Sequence, residues 1–248
     1  MDKRKLKRAA ELIDRAGHIL VFAGSGLSAE SGIPTFRGED GMYSNPDVLR
    51  YAHADALREE PEAALAWFQK MRDMIDDYEP NPGHYALARI CAERDCTIAT
   101  QNVDRLLESA FLREGLTKEG IWHLHGSLFR SRCDVCDEPL EEPPTDYTAA
   151  ECDECGGIIR PDVTLFGEML PEAPYLRAQG AAHVADVVLL LGTSGIVYPA
   201  ATIPGLARSH GAKLIEINPN PTELSEIADV VIRGKTGEVL PEIDRLLA

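Results

Sequence analysis

Four cysteines in this 248-residue chain stand as two pairs, Cys133-x-x-Cys136 and Cys152-x-x-Cys155, with fifteen residues between Cys136 and Cys152. Zinc takes four thiolates tetrahedrally at about 2.3 Å, and each Cys-x-x-Cys turn can offer two sulfurs to one ion. Two turns at this separation match a structural zinc site better than a redox pair or unrelated thiols. Four protein ligands leave no coordination position for water, so one structural zinc per chain is expected, not a catalytic one. Cys91 and Cys96 stand apart and read as small buried residues.

A second chemical feature is the run Ala23-Gly24-Ser25-Gly26-Leu27-Ser28-Ala29 after the apolar His18–Phe22. Gly24-x-Gly26-x-x-Ala29 nearly spells a dinucleotide fingerprint, whose glycines let backbone N–H groups approach a pyrophosphate. A tight structural turn would use the same letters. Gly32 and Pro34 interrupt the helix such a turn should open, and the loop then carries Phe36 and Arg37. The acidic ribose contact expected about 20 residues on is also missing. Asp47 lies near that distance but follows Asn45-Pro46, with no strand before it.

Further polar stretches close other apolar runs: Thr100-Gln101-Asn102-Val103-Asp104, Gly192-Thr193-Ser194 and Asn218-Pro219-Asn220. Each could be a helix cap. Strand ends of an open parallel sheet also line ligand crevices, which accounts for all of them together. His123 and His125 flank Leu124 before the first cysteine pair. Two alternating histidines can be strand faces, but a pocket at His125 would suit a general base.

These residues need a frame. Strand-like runs recur at Ile19–Phe22, Thr97–Thr100, Val187–Leu191, Lys213–Ile217 and Val230–Ile232, several of them uninterrupted, as in strands buried on both faces. Helical patterns at Tyr85–Arg94, Val103–Arg113 and Ala200–His210 lie between them. The alternation predicts an α/β fold with a Rossmann-like, doubly wound parallel sheet. Two stretches do not fit the alternation. Ser31 to about Pro82 shows no second strand but a helical Glu62–Phe68, and Arg130 to Arg160 holds the cysteines among several prolines. Both read as insertions. The expected division is 1–30, 83–128 and 161–248 for the Rossmann-like domain, with 31–82 and 129–160 building a smaller helical and zinc-binding domain.

The charge sum, 25 − 41 = −16, opposes nucleic-acid binding. Nine acids and no Lys or Arg lie from Asp134 to Glu154, so a zinc ribbon there is poorly suited to nucleic acid. Seven Lys against eighteen Arg, with so many acids, fit a protein kept soluble in concentrated salt. The longest apolar run is far too short to span a membrane, and the basic N-terminal residues lead into an amphipathic pattern, not a signal-peptide core. A soluble, cytoplasmic protein is expected.

Taken in order, "AGSGLSAESGIPTFRG", "PNPGH" (80–84), "TQNVD", "LHGSL" (124–128), the cysteine pairs, "RPDVTLFGE" (160–168), "GTS" and "INPNPT" (217–222) closely resemble the sirtuin family of NAD-dependent protein-lysine deacylases. The resemblance runs from Val21 to about Pro241. It implies that Gly24, Ser25, Gly26 and Ser28 hold the pyrophosphate side of NAD and that Phe36 and Arg37 sit on a loop closing over it. Gln101, Asn102 and Asp104 would line the nicotinamide and ribose pocket. Gly192, Thr193, Ser194 and Asn218 would serve the adenosine half. His125 matches the catalytic base, with Asn102 also at a catalytic position. Val163, Phe166, Gly167 and Glu168 match a stretch that pairs with the substrate backbone.

The implied reaction consumes NAD. The acyl oxygen of an acyl-lysine in a protein or peptide attacks the nicotinamide ribose, nicotinamide leaves, and O-acyl-ADP-ribose and free lysine result. Two positions depart from the family: Ser25 replaces the usual Ala, and Leu107 stands where a His is usual. Rival readings are a sirtuin-like ADP-ribosyltransferase, a deacylase preferring longer uncharged acyl groups, a silent binding module and, more weakly, a dehydrogenase. Sirtuins preferring succinyl or malonyl groups share a Tyr-x-x-Arg motif, which aligns here with Phe68-Gln69-Lys70-Met71. Without the hydroxyl and guanidinium, acetyl-lysine is expected to be preferred over succinyl-lysine.

Overall fold

The structure is a computed structural model that describes residues 2–36, 41–140 and 142–248. Its strands are β1 (Ile19–Ala23), β2 (Cys96–Thr100), β3 (Ile121–His123), β4 (Gly126–Cys133), β5 (Pro139–Leu140), β6 (Ile159–Val163), β7 (Val187–Leu191), β8 (Lys213–Ile217) and β9 (Val230–Ile232). The helices are α1 (Lys3–Asp14), α2 (Pro46–Tyr51), α3 (Ala54–Glu59), α4 (Pro61–Asp76), α5 (Pro82–Ala92), α6 (Leu106–Arg113), α7 (Glu172–Val184), α8 (Thr202–Ser209) and α9 (Thr236–Leu247).

Six strands form a parallel sheet in the order β3-β2-β1-β7-β8-β9. All five residues of β1 and of β7 are buried, because helices cover both faces. Alternation still decides the partners. Ile19, Val21, Ala23, Val187, Leu189 and Leu191 pack with α1, α5 and α9, while Leu20, Phe22, Val188 and Leu190 pack with α7 and α8. Five of these strands were legible as apolar runs. The sixth, β3, is a three-residue edge strand like β9, but Ile121-Trp122-His123 makes no apolar run, whereas Val230-Val231-Ile232 does.

A second sheet, β5-β4-β6, is antiparallel. Its residues Leu128, Ile159 and Val163 share a core with Leu65, Phe68, Met71 and Ile75 on one face of α4. Pro61 at the first turn of α4 and this i, i+3, i+4 spacing explain the helix. α6 begins at Leu106, later than the periodicity predicts. Asp104 turns its carboxylate back to the Leu106 N–H, and the Val103 carbonyl accepts from Leu128 N–H instead of a helical donor. Among the described residues no helix is long and apolar enough to cross a membrane.

Candidate active site and cysteine centre

The ends of β1, β2, β7 and β8 are neighbours in the sheet, so the polar stretches that follow them share one rim. That rim and the smaller sheet enclose a cavity of about 600 Å³. Gly24, Ser25, Gly26, Gln101, Asn102 and His125 line it on the side of β1 and β2. Gly192, Thr193, Ser194 and Asn218 line it beyond β7 and β8, and Phe36, Val163, Phe166, Gly167 and Glu168 line it on the opposite side. Hydrogen bonds stitch the rim: Gln101 Nε2 donates to Thr193 Oγ1 at 2.9 Å, and Asn218 Nδ2 to the Thr193 carbonyl at 3.0 Å.

The glycine turn differs from the simple fingerprint. The Gly24 and Gly26 N–H groups donate to the Leu191 and Gly192 carbonyls, so neither is free for a phosphate. A Cβ on Gly26 would fall 2.7 Å from Gly192 Cα. These glycines are required because two strand ends touch there. In place of a long helix the chain makes two single 3₁₀ turns, Ser25–Leu27 and Ala29–Ser31, and then Gly32 at φ 105°.

Ser28 and Asp104 do not line the main cavity. They border a much smaller pocket beside it, together with Ser25, Phe36 and Asn102. Both are buried, and their side chains hydrogen-bond each other at 2.9 Å. Asn102 Nδ2 donates to Ser28 Oγ at 3.2 Å, so the pair supports Asn102 from behind. Burial raises the Asp104 pKa, partly offset by the Leu106 amide and the Ser28 hydroxyl. Arg37 lies outside the described residues. On either side of that gap, Met42 N–H bonds the Thr35 carbonyl and Tyr43 N–H the Phe36 carbonyl. Asp47 lies in α2, exposed and away from the cavity.

His125 sits between β3 and β4, where the chain leaves one sheet for the other. Gly126 makes that turn at φ 73°, and a Cβ there would lie 1.9 Å from the Asp162 carbonyl oxygen. His125 Nδ1 is 3.2 Å from the Gln101 carbonyl, which can only accept. Nδ1 therefore carries the proton and Nε2 keeps its lone pair. Burial pulls the imidazole pKa down to about 4, against the opposing pull of the Gln101 carbonyl, so the ring is neutral at physiological pH.

His123, two residues earlier, is a different group. Its Nδ1 meets the Asn102 carbonyl at 2.9 Å and its Nε2 the Glu108 carboxylate at 2.6 Å. Burial opposes its charge, but the Glu108 carboxylate and the Asn102 carbonyl together outweigh burial and raise the pKa. With both nitrogens bonded to acceptors it has no free base to offer.

Several contributing residues were not singled out from sequence as site residues. Tyr43 lies between Phe36 and Phe166, with ring centroids 5.3 and 5.6 Å away. Buried Glu216 bonds Ser225 at 2.7 Å and Arg233 at 2.9 Å, fixing the loop after Asn218. An acid inside the apolar run Leu214–Ile217 was its signal. Trp67, Leu128 and Leu165 complete an apolar wall with Phe68 and Met71.

At the cysteine centre all four sulfurs lie within 4.8 Å of one another. Cys133–Cys155, Cys136–Cys155 and Cys136–Cys152 are 3.5, 3.6 and 3.7 Å apart. A tetrahedron with Zn–S bonds of about 2.3 Å has edges of about 3.8 Å. The four thiols fit one structural zinc ion, with Cys133 and Cys152 buried and Cys136 and Cys155 exposed.

The sequence profile of the Sir2 family matches residues 24–199, more than half of the chain. The chain belongs to the Sir2 family. A curated sirtuin relative, NAD-dependent protein deacylase 2 of Pyrobaculum aerophilum, is 42% identical over 241 residues, covering 94% of this chain and 92% of the relative. A crystal structure of a Sir2 homologue–NAD complex superposes with a TM-score of 0.86 at 38% identity, covering 100% of this chain and 94% of that one. Sir2Af2 bound to a myristoylated histone peptide superposes at 0.76 with 30% identity, covering 99% and 97%. The six-stranded parallel sheet with its cysteine module is the sirtuin architecture.

Proposed function

We propose that this sirtuin is an NAD-dependent protein-lysine deacetylase. The observation that carries the reading is His125: a neutral imidazole on the cavity wall, its Nδ1 proton held by the Gln101 carbonyl and its Nε2 free as a base. NAD is the co-substrate. Its pyrophosphate lies along Ser25 and its neighbours, and its adenosine half lies toward Thr193, Ser194 and Asn218. Asn102, tied down by Ser28 and His123, orients the nicotinamide ribose.

The acyl-lysine oxygen attacks the anomeric carbon and the bond to nicotinamide breaks. His125 Nε2 then takes a proton from a ribose hydroxyl, whose oxygen attacks the imidate carbon. The bond from that carbon to the lysine nitrogen breaks, lysine leaves as the protonated amine, and one water adds to the cyclic acyl cation left behind, giving O-acetyl-ADP-ribose.

The acyl pocket supports an uncharged group. Phe68 and Met71 line the cavity. Arg72, the nearest guanidinium on that helix, is turned away: it donates to the Pro144 carbonyl at 2.7 Å and stacks 4.6 Å from the Tyr147 ring centroid. The continuous apolar wall also favours a second reading, removal of longer uncharged acyl chains, and one structural neighbour is itself bound to a myristoylated peptide.

The test is incubation of the protein with an acetyl-lysine peptide, with and without NAD, measuring nicotinamide and free lysine. Both must appear in equal amounts and only with NAD. Nicotinamide release with ADP-ribose left on the peptide would overturn the deacylase reading in favour of ADP-ribosyl transfer.

A further inference from the structure

Among the described residues Arg160 is the largest fully buried side chain, at 1% exposure, and it is a cation on β6, whose Ile159 and Val163 belong to the core shared with α4. A buried guanidinium is retained only where its hydrogen bonds are satisfied and its charge is paired. Its partners come from two places. Nη1 donates to Asp134 Oδ1 at 3.0 Å and to Glu168 Oε1 at 2.6 Å. Nη2 donates to the Val163 carbonyl at 2.8 Å and to Glu168 Oε2 at 3.2 Å. Only Nε lacks a partner.

Asp134 lies inside the first cysteine turn, directly after Cys133. Glu168 and Val163 belong to the stretch that the sirtuin resemblance implies pairs with the substrate backbone. The Glu168 carboxylate also accepts the Leu165 N–H at 2.8 Å, and the Glu168 N–H donates to the Leu165 carbonyl at 3.0 Å, closing a short loop. Next to Val163, the Thr164 N–H donates to the His125 carbonyl at 2.9 Å. One guanidinium therefore holds the loop that follows β6, and the cysteine turn holds the guanidinium.

We propose that Arg160 is a positioning residue that transmits the folded state of the Cys133–Cys136 turn to the 163–168 substrate segment. Glu168, although on the cavity wall, serves this clamp with its carboxylate and offers the peptide its backbone. The substrate part of the inference rests on the deacetylase reading; the clamp itself does not.

The test uses Asp134→Asn and Arg160→Lys in the full chain, with zinc content, amide exchange at Leu165, and KM for acetyl-lysine peptide and for NAD as readouts. Asp134→Asn keeps all four thiols and touches no cavity residue. It should retain one zinc per chain, speed Leu165 exchange about threefold and raise the peptide KM by a similar factor, with the NAD KM unchanged. Arg160→Lys keeps the charge but loses the planar fork, so the same two quantities should move further, about tenfold. In the doubly substituted chain the Asp134 change should add little.

Unchanged Leu165 exchange in Asp134→Asn with zinc retained would overturn the proposal. So would an NAD KM rising in step with the peptide KM, which would mark general loosening. If Arg160→Lys does not fold, Asp134→Asn decides alone. A wild-type protein inactive on the peptide would sink the deacetylase reading, while Leu165 exchange would still decide the clamp.

Discussion

At the rim of the six-stranded sheet, Leu189, Leu190 and Leu191 are fully buried, and the polar residues that follow are held by backbone contacts such as Gly26 against Gly192. Across the cavity, the cysteine module has nine acids between Asp134 and Glu154, a hairpin partner strand of two residues, and a buried arginine. The rim is stable through apolar burial on two faces, about 25 cal/mol per Å² removed from water. The module adds to its own apolar burial against α4 a set of four thiols that fits one zinc ion and an ion-paired guanidinium. One wall of the site is thus built by the central core, and the other by a smaller core braced by polar ties. His125, the base of the proposed reaction, sits where they meet.

The contrast is most exposed to test at that junction. His125→Ala should lower kcat by about 10²–10⁴-fold while NAD still binds, and His123→Ala should cost less, since its imidazole holds Asn102 and Glu108 and touches no reacting atom. Equal losses at the two positions, measured by steady-state kinetics, would erase the distinction drawn between them.

The next effect belongs to the module side of the cavity. Succinyl-lysine should be turned over about 10²-fold less efficiently than acetyl-lysine, because its carboxylate would be buried against Phe68 and Met71 without a partner. Matched peptides differing only in the acyl group measure this. A higher kcat/KM on succinyl-lysine would mean that the wall is not the acyl pocket.

Cys152→Ala should reduce bound zinc below one per chain and lower activity by roughly tenfold, indirectly, as the module loosens while the sheet keeps its fold. Metal analysis beside a thermal melt checks it. A fully active variant without zinc would show that the module supports itself.

Acid should act through the buried imidazoles. His125 titrates at about 4 in the folded protein, so the rate should hold from neutrality to about pH 5 and then fall. Stability should begin to drop earlier, as pH falls below about 6.5 while the rate still holds, and should keep falling through about 4 and about 3. Unfolded histidine takes its proton near 6.5, whereas His125 and His84, the latter pushed down to about 3 by burial, resist until lower pH. His123 acts in the opposite sense: its pairing stabilises below pH 6.5 and is lost as pH rises through its raised value. A rate profile with an acid limb at 6.5 would show that His125 is solvated.

The smallest effect is salt. With a net charge of −16, raising salt from dilute to molar should lift the melting temperature by a few degrees, with the acidic module gaining first. A midpoint indifferent to salt would leave the module an ordinary acidic hairpin.

Much of this could be read in advance because it is local. The zinc set needs only two tight turns at a workable separation, and Cys133, Cys136, Cys152 and Cys155 declare it by spacing. Uninterrupted apolar runs mark β1 and β7 as buried on both faces. The rim residues follow because strand ends in a parallel sheet share one edge. β3 was harder, since Ile121-Trp122-His123 makes no apolar run, unlike the equally short Val230–Ile232, and α6 starts late because the Asp104–Leu106 hydrogen bond and the Val103–Leu128 pairing interrupt a longer helical pattern.

What the linear chain determined by itself was the inventory of chemistry: four thiols, a glycine turn, polar strand ends and a histidine between two sheets. Which of these groups are free was decided only in the folded molecule. The Gly24 and Gly26 amides are spent on β7, Ser28 and Asp104 lie behind Asn102, and Glu168 answers to Arg160. The pKa values of His123 and His125 move in opposite directions two residues apart, because a carboxylate offsets the burial of one and only a carbonyl faces the other. Hydrogen bonding and desolvation depend on partners far away in sequence, and local pattern has no access to them.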